Sequence, residues 1–311
     1  MRPFRGRDGR RPSGFTLVEM MVAIAVFLVM MAAIAGIMNQ TRKTIHLASS
    51  SLDLFQSARL GFEGLAQSLS HATLNTYWDY DSPTAPTTYV RKSDLQFLIS
   101  RQGSSLGIFF QAPRTYSTNA GYSQASGLLN AVAYYVEYGS DAPFRPAHVA
   151  TARWRYRLMQ AIQPTESLAV FSTPSSGWTD AVKALEWPVA DNIVALILWP
   201  RLSSRDDAAG TKISADYTYD SRGTVALQQA QMPPVVQATM VAISETAAAR
   251  LNLGSTPPPA IENALQGKFQ DVTHYTADLA GLESALTAAH IEYKEFTAGV
   301  PIRESKWSGL P

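Results

Sequence analysis

The chain has 311 residues, of which 46% are hydrophobic and 16% are charged. This composition is too apolar for a disordered protein and too polar for one with many membrane spans, so any membrane segment must be local. There is no cysteine, which excludes disulfides, thiolate metal sites and a cysteine nucleophile. The formal net charge is only +1, and it gives no reason to expect a nucleic-acid partner, because such proteins usually carry a clustered basic face.

An uninterrupted apolar run extends from Met20 to Met38. At ~1.5 Å of rise per residue, a helix over this run has about the thickness of the hydrocarbon core of a bilayer. It is longer than the ~7–15 apolar residues of an ordinary secretory signal. The leader, residues 1–14, contains five arginines, whereas only Arg42 and Lys43 follow the run closely. The sequence therefore predicts a single-pass protein whose leader is cytoplasmic and whose bulk crosses the membrane.

Glu19 places a carboxylate inside the hydrophobic segment. An unpaired carboxylate there costs about 2.5–3.5 kcal/mol on insertion scales, so it needs a partner or a position at the membrane interface. One interpretation is interfacial, because a negative charge near the start of a helix suits the helix dipole. The other is that a cation from elsewhere pairs with it.

The residues around Glu19 resemble the processing site of type IV prepilins and type II secretion pseudopilins. The string Ser13-Gly14-Phe15-Thr16-Leu17-Val18-Glu19 follows a basic leader and precedes the apolar run. The resemblance implies cleavage between Gly14 and Phe15 by a prepilin peptidase, with N-methylation of Phe15. It also implies that Glu19 pairs with the N-terminal amine of a neighbouring subunit.

The membrane helix is predicted to continue into a separate head. No proline occurs between Phe15 and Ser82, and apolar residues recur at helical spacing beyond the membrane, as on a face packed against its own domain. The expected divisions are a cleaved leader at 1–14, a transmembrane helix at 15–38, its periplasmic continuation at 39–76, and a globular head at 77–311.

The head is predicted to be mostly antiparallel sheet, because one long helix followed by many strands indicates an α+β fold. A loop is expected around 77–86, helices at 244–253 and 278–290, and a linker at 257–259. The six strand predictions rest on alternating or continuous apolar residues, and they cover 95–100, 106–111, 129–138, 153–159, 192–199 and 235–243.

Parts of the head resemble two narrower groups of pilin-like proteins. The segments 153–159, 192–202 and 233–244 are similar to the minor pseudopilin J family of type II secretion. The C-terminal part, at 288–293 and 301–308, resembles the group called Verru_Chthon cassette protein C.

No catalytic centre, cofactor or metal site is expected. Residues 103–107 match the G-x-S-x-G nucleophile elbow, but a strand follows where the elbow needs a helix, so we predict a hairpin turn. The five histidines lack metal-ligand spacing. Two further polar sets are expected to be solvated: the acidic residues Asp206, Asp207, Asp216 and Asp220, which lack the spacing of a calcium loop, and the strand face of Arg153, Arg155 and Arg157.

The resulting hypothesis is a structural, minor subunit of a type IV pilus-like or type II secretion filament. Its expected partners are the prepilin peptidase, other pilin or pseudopilin subunits, the inner-membrane assembly platform and membrane lipid. The expected location is the bacterial inner membrane, with a cytoplasmic N terminus and a periplasmic head. The alternative is a tip adhesin or cargo-binding subunit, whose contact loops would be the tyrosine-rich stretches at 77–89 and 115–122.

Overall fold

The computed structural model describes residues 16–122, 124–149, 151–172, 177–251 and 254–309, without the side chains of 43–54. It divides the chain into two compact units, with the boundary between Ser50 and Ser51. One helix, α1, runs from Leu17 to Ser70 and contributes to both units. Its end at Ser70 lies before the boundary expected at residue 76.

The first unit consists, among the described residues, of the N-terminal part of α1. The segment Leu17–Arg42 is 26 residues long and apolar enough to cross a membrane. The large apolar side chains from Leu17 to Met38 are 49% to 76% exposed. A surface this apolar requires lipid or other apolar helices around it.

Among its described residues, the second unit combines the rest of α1 with three antiparallel sheets and four shorter α-helices. The large sheet has the strand order β7-β6-β5-β4-β3-β9, the small sheet has the order β11-β10-β8, and β1 pairs with β2. The strands are β1 Tyr77–Tyr80, β2 Tyr89–Lys92, β3 Leu98–Gln102, β4 Ser105–Pro113, β5 Leu129–Ser140, β6 Trp154–Gln163, β7 Glu186–Asp191, β8 Ile193–Arg201, β9 Tyr219–Asp220, β10 Val235–Ile243 and β11 Tyr293–Pro301. The helices are α2 Trp178–Lys183, α3 Glu245–Arg250, α4 Pro259–Leu265 and α5 Tyr275–Ala288. The predicted α+β class, a long N-terminal helix followed by mostly antiparallel sheets, is confirmed.

The large sheet buries both of its faces. Successive residues of a strand point to opposite faces, so on β4 Ile108 and Phe110 enter one core while Phe109 enters another. The main core packs this sheet against the small sheet and against Phe62 and Leu65 of α1. The second core holds α2, whose residues Trp178 and Val182 are fully buried.

The structure corrects several local expectations. A strand, β1, occupies 77–80, where a loop was expected, and α4 begins at Pro259, where a linker was expected. Proline suits the first turn of a helix because its missing N–H would have no partner there. The predicted hairpin turn at 103–107 is confirmed, with Gly103 between β3 and β4 at a φ of +59°.

The prediction of a solvated arginine face on β6 is wrong for Arg155 and Arg157, whereas Arg153, which precedes the strand, is exposed. The side chains of Arg155 and Arg157 are only 11% and 5% exposed. Arg157 donates from Nε to Asp191 Oδ1 at 2.8 Å, and Arg155 forms a close ion pair with Glu245. The acids belong to β7 and α3, which cover this part of β6.

The prediction that Asp207 lies in a solvated loop is also wrong. Asp207 is 5% exposed, and its carboxylate accepts the backbone N–H groups of Gly210 and Lys212 at 2.9 and 2.8 Å. It therefore stabilises a turn.

Across the described part of the chain, no group of three or more acidic or histidine side chains is placed to hold a metal ion.

Candidate assembly site at the start of the N-terminal helix

The helix α1 begins with a reciprocal capping box made by Thr16 and Glu19. The Thr16 Oγ1 atom accepts the backbone N–H of Glu19 at 3.2 Å. In return, Glu19 Oε2 accepts the backbone N–H of Thr16 at 2.9 Å and its hydroxyl at 3.0 Å. The two residues thus satisfy N–H groups that the first turn of a helix leaves without intrahelical partners.

This geometry gives Glu19 a role within its own chain. Its carboxylate lies at the positive end of the helix dipole and accepts two hydrogen bonds. The dipole and the hydrogen bonds each lower the free energy of the charged carboxylate. Cleavage before Phe15 would keep the box, because the Thr16 N–H belongs to the peptide bond between Phe15 and Thr16. The predicted processing residues Gly14 and Phe15 lie outside the described residues.

The three-residue spacing of Thr16 and Glu19 is a sequence signal for this capping box, and the sequence-based interpretation of Glu19 did not include it. A Ser or Thr followed three residues later by Glu, just before an apolar run, is typical of a helix N terminus. The dipole interpretation of Glu19 is therefore incomplete, because the acid also holds specific hydrogen bonds with Thr16.

Comparison with known families gives a match that covers this site. Residues 9–35 match the family model described as the prokaryotic N-terminal methylation motif. The N terminus is type IV prepilin-like. The match covers the last six residues of the expected leader, 9–14, then the start of α1 and most of its apolar run, but not the head. No match was found among curated proteins or among solved structures.

The prepilin-like N terminus and the apolar helix together fit a single-pass inner-membrane protein. The motif belongs to structural proteins rather than enzymes, and it implies processing by a prepilin peptidase and assembly with other pilin subunits. The one nucleophile candidate from the sequence, Ser105, is buried. Its hydroxyl donates to Leu196 O at 2.9 Å and accepts the Leu196 N–H at 2.8 Å. These two bonds tie β4 to β8 and assign Ser105 a structural role.

The tyrosine-rich stretches form exposed surfaces on the head. In the β1–β2 hairpin, Tyr80 pairs with Tyr89, their rings stack with centroids 4.6 Å apart, and Trp78 is 59% exposed. The second stretch exposes Tyr116 and Tyr122. Exposed aromatic side chains are enriched in protein interfaces. The hairpin holds its own aromatic residues, Trp78, Tyr80 and Tyr89, in a fixed arrangement.

Proposed function

We propose that this protein is a structural, minor subunit of a type IV pilus-like or type II secretion pseudopilus filament. The observation that carries the proposal is the match of residues 9–35 to the methylation motif, joined directly to an apolar helix long enough to cross a membrane. The large head after the helix favours a minor subunit. Its resemblances favour a subunit like pseudopilin J or a member of the cassette protein C group.

Maturation on the cytoplasmic side removes residues 1–14 and leaves Phe15 as a methylated N terminus. Residues 15–38 then span the inner membrane, residues 39–76 continue in the periplasm, and the head at 77–311 faces outward. The apolar surface of the membrane segment supports this arrangement, because its side chains are exposed on the single chain. In a filament, the corresponding helices of other subunits would replace the lipid around them.

Glu19 has two successive partners in this account. In the membrane-inserted subunit, the capping box satisfies its carboxylate. During assembly, the amine of Phe15 on a neighbouring subunit adds a full positive charge in surroundings of low dielectric, where an unpaired charge is heavily penalised. The acid therefore sets the register of one subunit against the next.

The proposal is tested by substituting Gly14 with alanine and expressing the protein together with a prepilin peptidase. A Gly14→Ala chain should keep its leader and migrate more slowly on a gel than the mature form. Ser13→Ala, one residue away from the cleaved bond, serves as the matched control and should be processed. Normal processing of Gly14→Ala would contradict the assignment of the cleavage site.

A second candidate function is a tip adhesin or cargo-binding subunit. The exposed hairpin with Trp78, Tyr80 and Tyr89 favours it. Replacing Trp78 and Tyr89 with serine should abolish binding to a surface or secreted protein while filaments still form. Loss of filaments instead would assign the hairpin to contacts between subunits.

A further inference from the structure

A cleft of about 630 Å³ opens on the head beside the turn between β3 and β4. Its walls come from that turn, from β5 and β6, from the end of α2 and the start of β7, and from α4 with the proline segment before it. The volume lies within the ~300–1,000 Å³ typical of ligand sites. The lining belongs entirely to the second unit and includes no residue of the proposed assembly site.

Three tyrosines line the cleft, and hydrogen bonds fix each hydroxyl. Tyr156 donates to Glu262 Oε1 at 2.6 Å, Tyr138 donates to the backbone carbonyl of Gly254, and Tyr135 donates to Glu186. The rings of Tyr138 and Tyr156 are in contact, with centroids 4.8 Å apart. Tyrosine rings held in this way form a wall that attracts cations through the negative face of the ring.

Three carboxylates share the cleft with these rings: Glu137, Glu186 and Glu262. Across the described residues, none of the three forms an ion pair; the tyrosine hydroxyls that reach Glu186 and Glu262 are neutral. Burial raises the pKa of Glu137, and the neighbouring Glu186 raises it further. A raised pKa favours the uncharged form of Glu137, so the carboxylates that would stabilise a cation are those of Glu186 and Glu262, which accept neutral tyrosine hydroxyls.

Among the described residues that line the cleft, Lys183 is the basic one, and it shows how the wall holds an ammonium group. Its Nζ atom donates to Gln102 Oε1 and lies 5.3 Å from the centroid of the Tyr135 ring and 5.5 Å from that of Phe109. This is cation–π geometry. Among the described residues Lys183 forms no ion pair with the three glutamates, although its charge opposes the burial and the Glu186 charge that raise the pKa of Glu137.

We propose that this cleft binds an ammonium or guanidinium group carried by a lysine or arginine side chain of a partner protein. Two features attract the same chemical class: the aromatic wall, and the carboxylates of Glu186 and Glu262, which accept tyrosine hydroxyls but form no ion pair among the described residues. The volume accommodates a long basic side chain together with part of the backbone that carries it. The proposal does not depend on the filament function.

The test uses the full-length protein in detergent micelles and isothermal titration calorimetry. The probes are a tetra-arginine peptide, a tetra-citrulline peptide that keeps the shape without the charge, spermidine, and Ca²⁺. The variants Glu186→Gln and Glu262→Gln keep an acceptor for their tyrosines but remove one charge each. The matched control is Glu283→Gln, which removes an acid from α5, outside the cleft.

We expect the arginine peptide to bind, the citrulline peptide to show no measurable binding, and each cleft variant to weaken the arginine peptide about tenfold. Glu283→Gln should bind as the wild type does. The proposal is overturned if both cleft variants, folded by circular dichroism, bind the arginine peptide as tightly as the control. It is also overturned if spermidine or Ca²⁺ binds in the cleft and the peptide cannot displace it.

Discussion

Two leucines on α1 test how this helix contributes to the head. Leu65 is fully buried in the main core, whereas Leu60 on the same helix is 69% exposed. Truncating a buried leucine to alanine loses transfer free energy and leaves a cavity, which costs about 2–5 kcal/mol. The same change at an exposed position stays within about 0.5 kcal/mol. Leu65→Ala should therefore destabilise the head strongly, and Leu60→Ala should leave its free energy of unfolding nearly unchanged.

The assay is urea unfolding of the full-length protein in detergent, followed by tryptophan fluorescence. Trp178 is fully buried and Trp199 is 8% exposed, so their emission reports on the folded head. In thermal unfolding, the loss at Leu65 corresponds to a fall in the midpoint temperature of about 4–20 °C, since 1 kcal/mol shifts the midpoint of a unit this large by about 2–4 °C. Equal stability of the two variants would refute the packing of α1 into the main core.

Three further outcomes are expected. Glu19→Gln keeps a capping side chain but loses the charge, so the protein should be processed normally but enter filaments poorly. An immunoblot of sheared filaments measures this, and normal incorporation would count against charge pairing. Gly210→Ala should destabilise the head by about 1–3 kcal/mol in urea unfolding, because a Cβ there would lie 2.3 Å from the Trp199 ring, at a φ of +70°. Burial raises the pKa of Glu245, but hydrogen bonds led by that from Arg155 outweigh it and leave the pKa below its ordinary value of 4.5. Its stabilisation is therefore present above pH 4.5 and lost as the pH falls through the lowered pKa, and Glu245→Gln should flatten this acid dependence of stability.

The long helix and the main strands could be predicted because their patterns are local. Leu65 and Leu69 recur at helical spacing, and both are fully buried in the main core. The continuous apolar run at 192–199 indicated a buried strand, and Ile193–Arg201 forms β8, which is buried although it is an edge strand of the small sheet, hydrogen-bonded to β10. A helix was also predicted from residue 244, and there Ser244 caps α3 by accepting the Ala247 N–H with its side chain.

The features that sequence reasoning missed depend on distant partners or on competing local signals. Alternation along β6 placed Arg155 on a polar face, but it could not show that Glu245, far along the chain, covers that face. The aspartates and prolines between 79 and 86 indicated a loop, whereas Tyr77–Tyr80 pairs with Tyr89–Lys92 as a hairpin. The tyrosine cleft draws its carboxylates from three separate segments, so no spacing in the sequence could reveal it.

The assembly site could be predicted at the level of the motif but not of its hydrogen bonds. The glycine, aromatic and glutamate spacing indicated a processing site, and the family match covers the same residues. What it did not indicate is that Thr16 and Glu19 cap each other. The carboxylate of Glu19 in an apolar segment suggested that a cation must pair with it. Thr16, three residues earlier, already supplies part of its stabilisation through hydrogen bonds.

The central claim is that the mature chain begins at Phe15 and keeps its apolar helix. Intact-protein and N-terminal peptide mass spectrometry of the protein, purified from membranes that contain a prepilin peptidase, measures this directly. The account predicts a chain that lacks residues 1–14 and carries one methyl group on the Phe15 amine. A leader still attached, or a first residue other than Phe15, would contradict it.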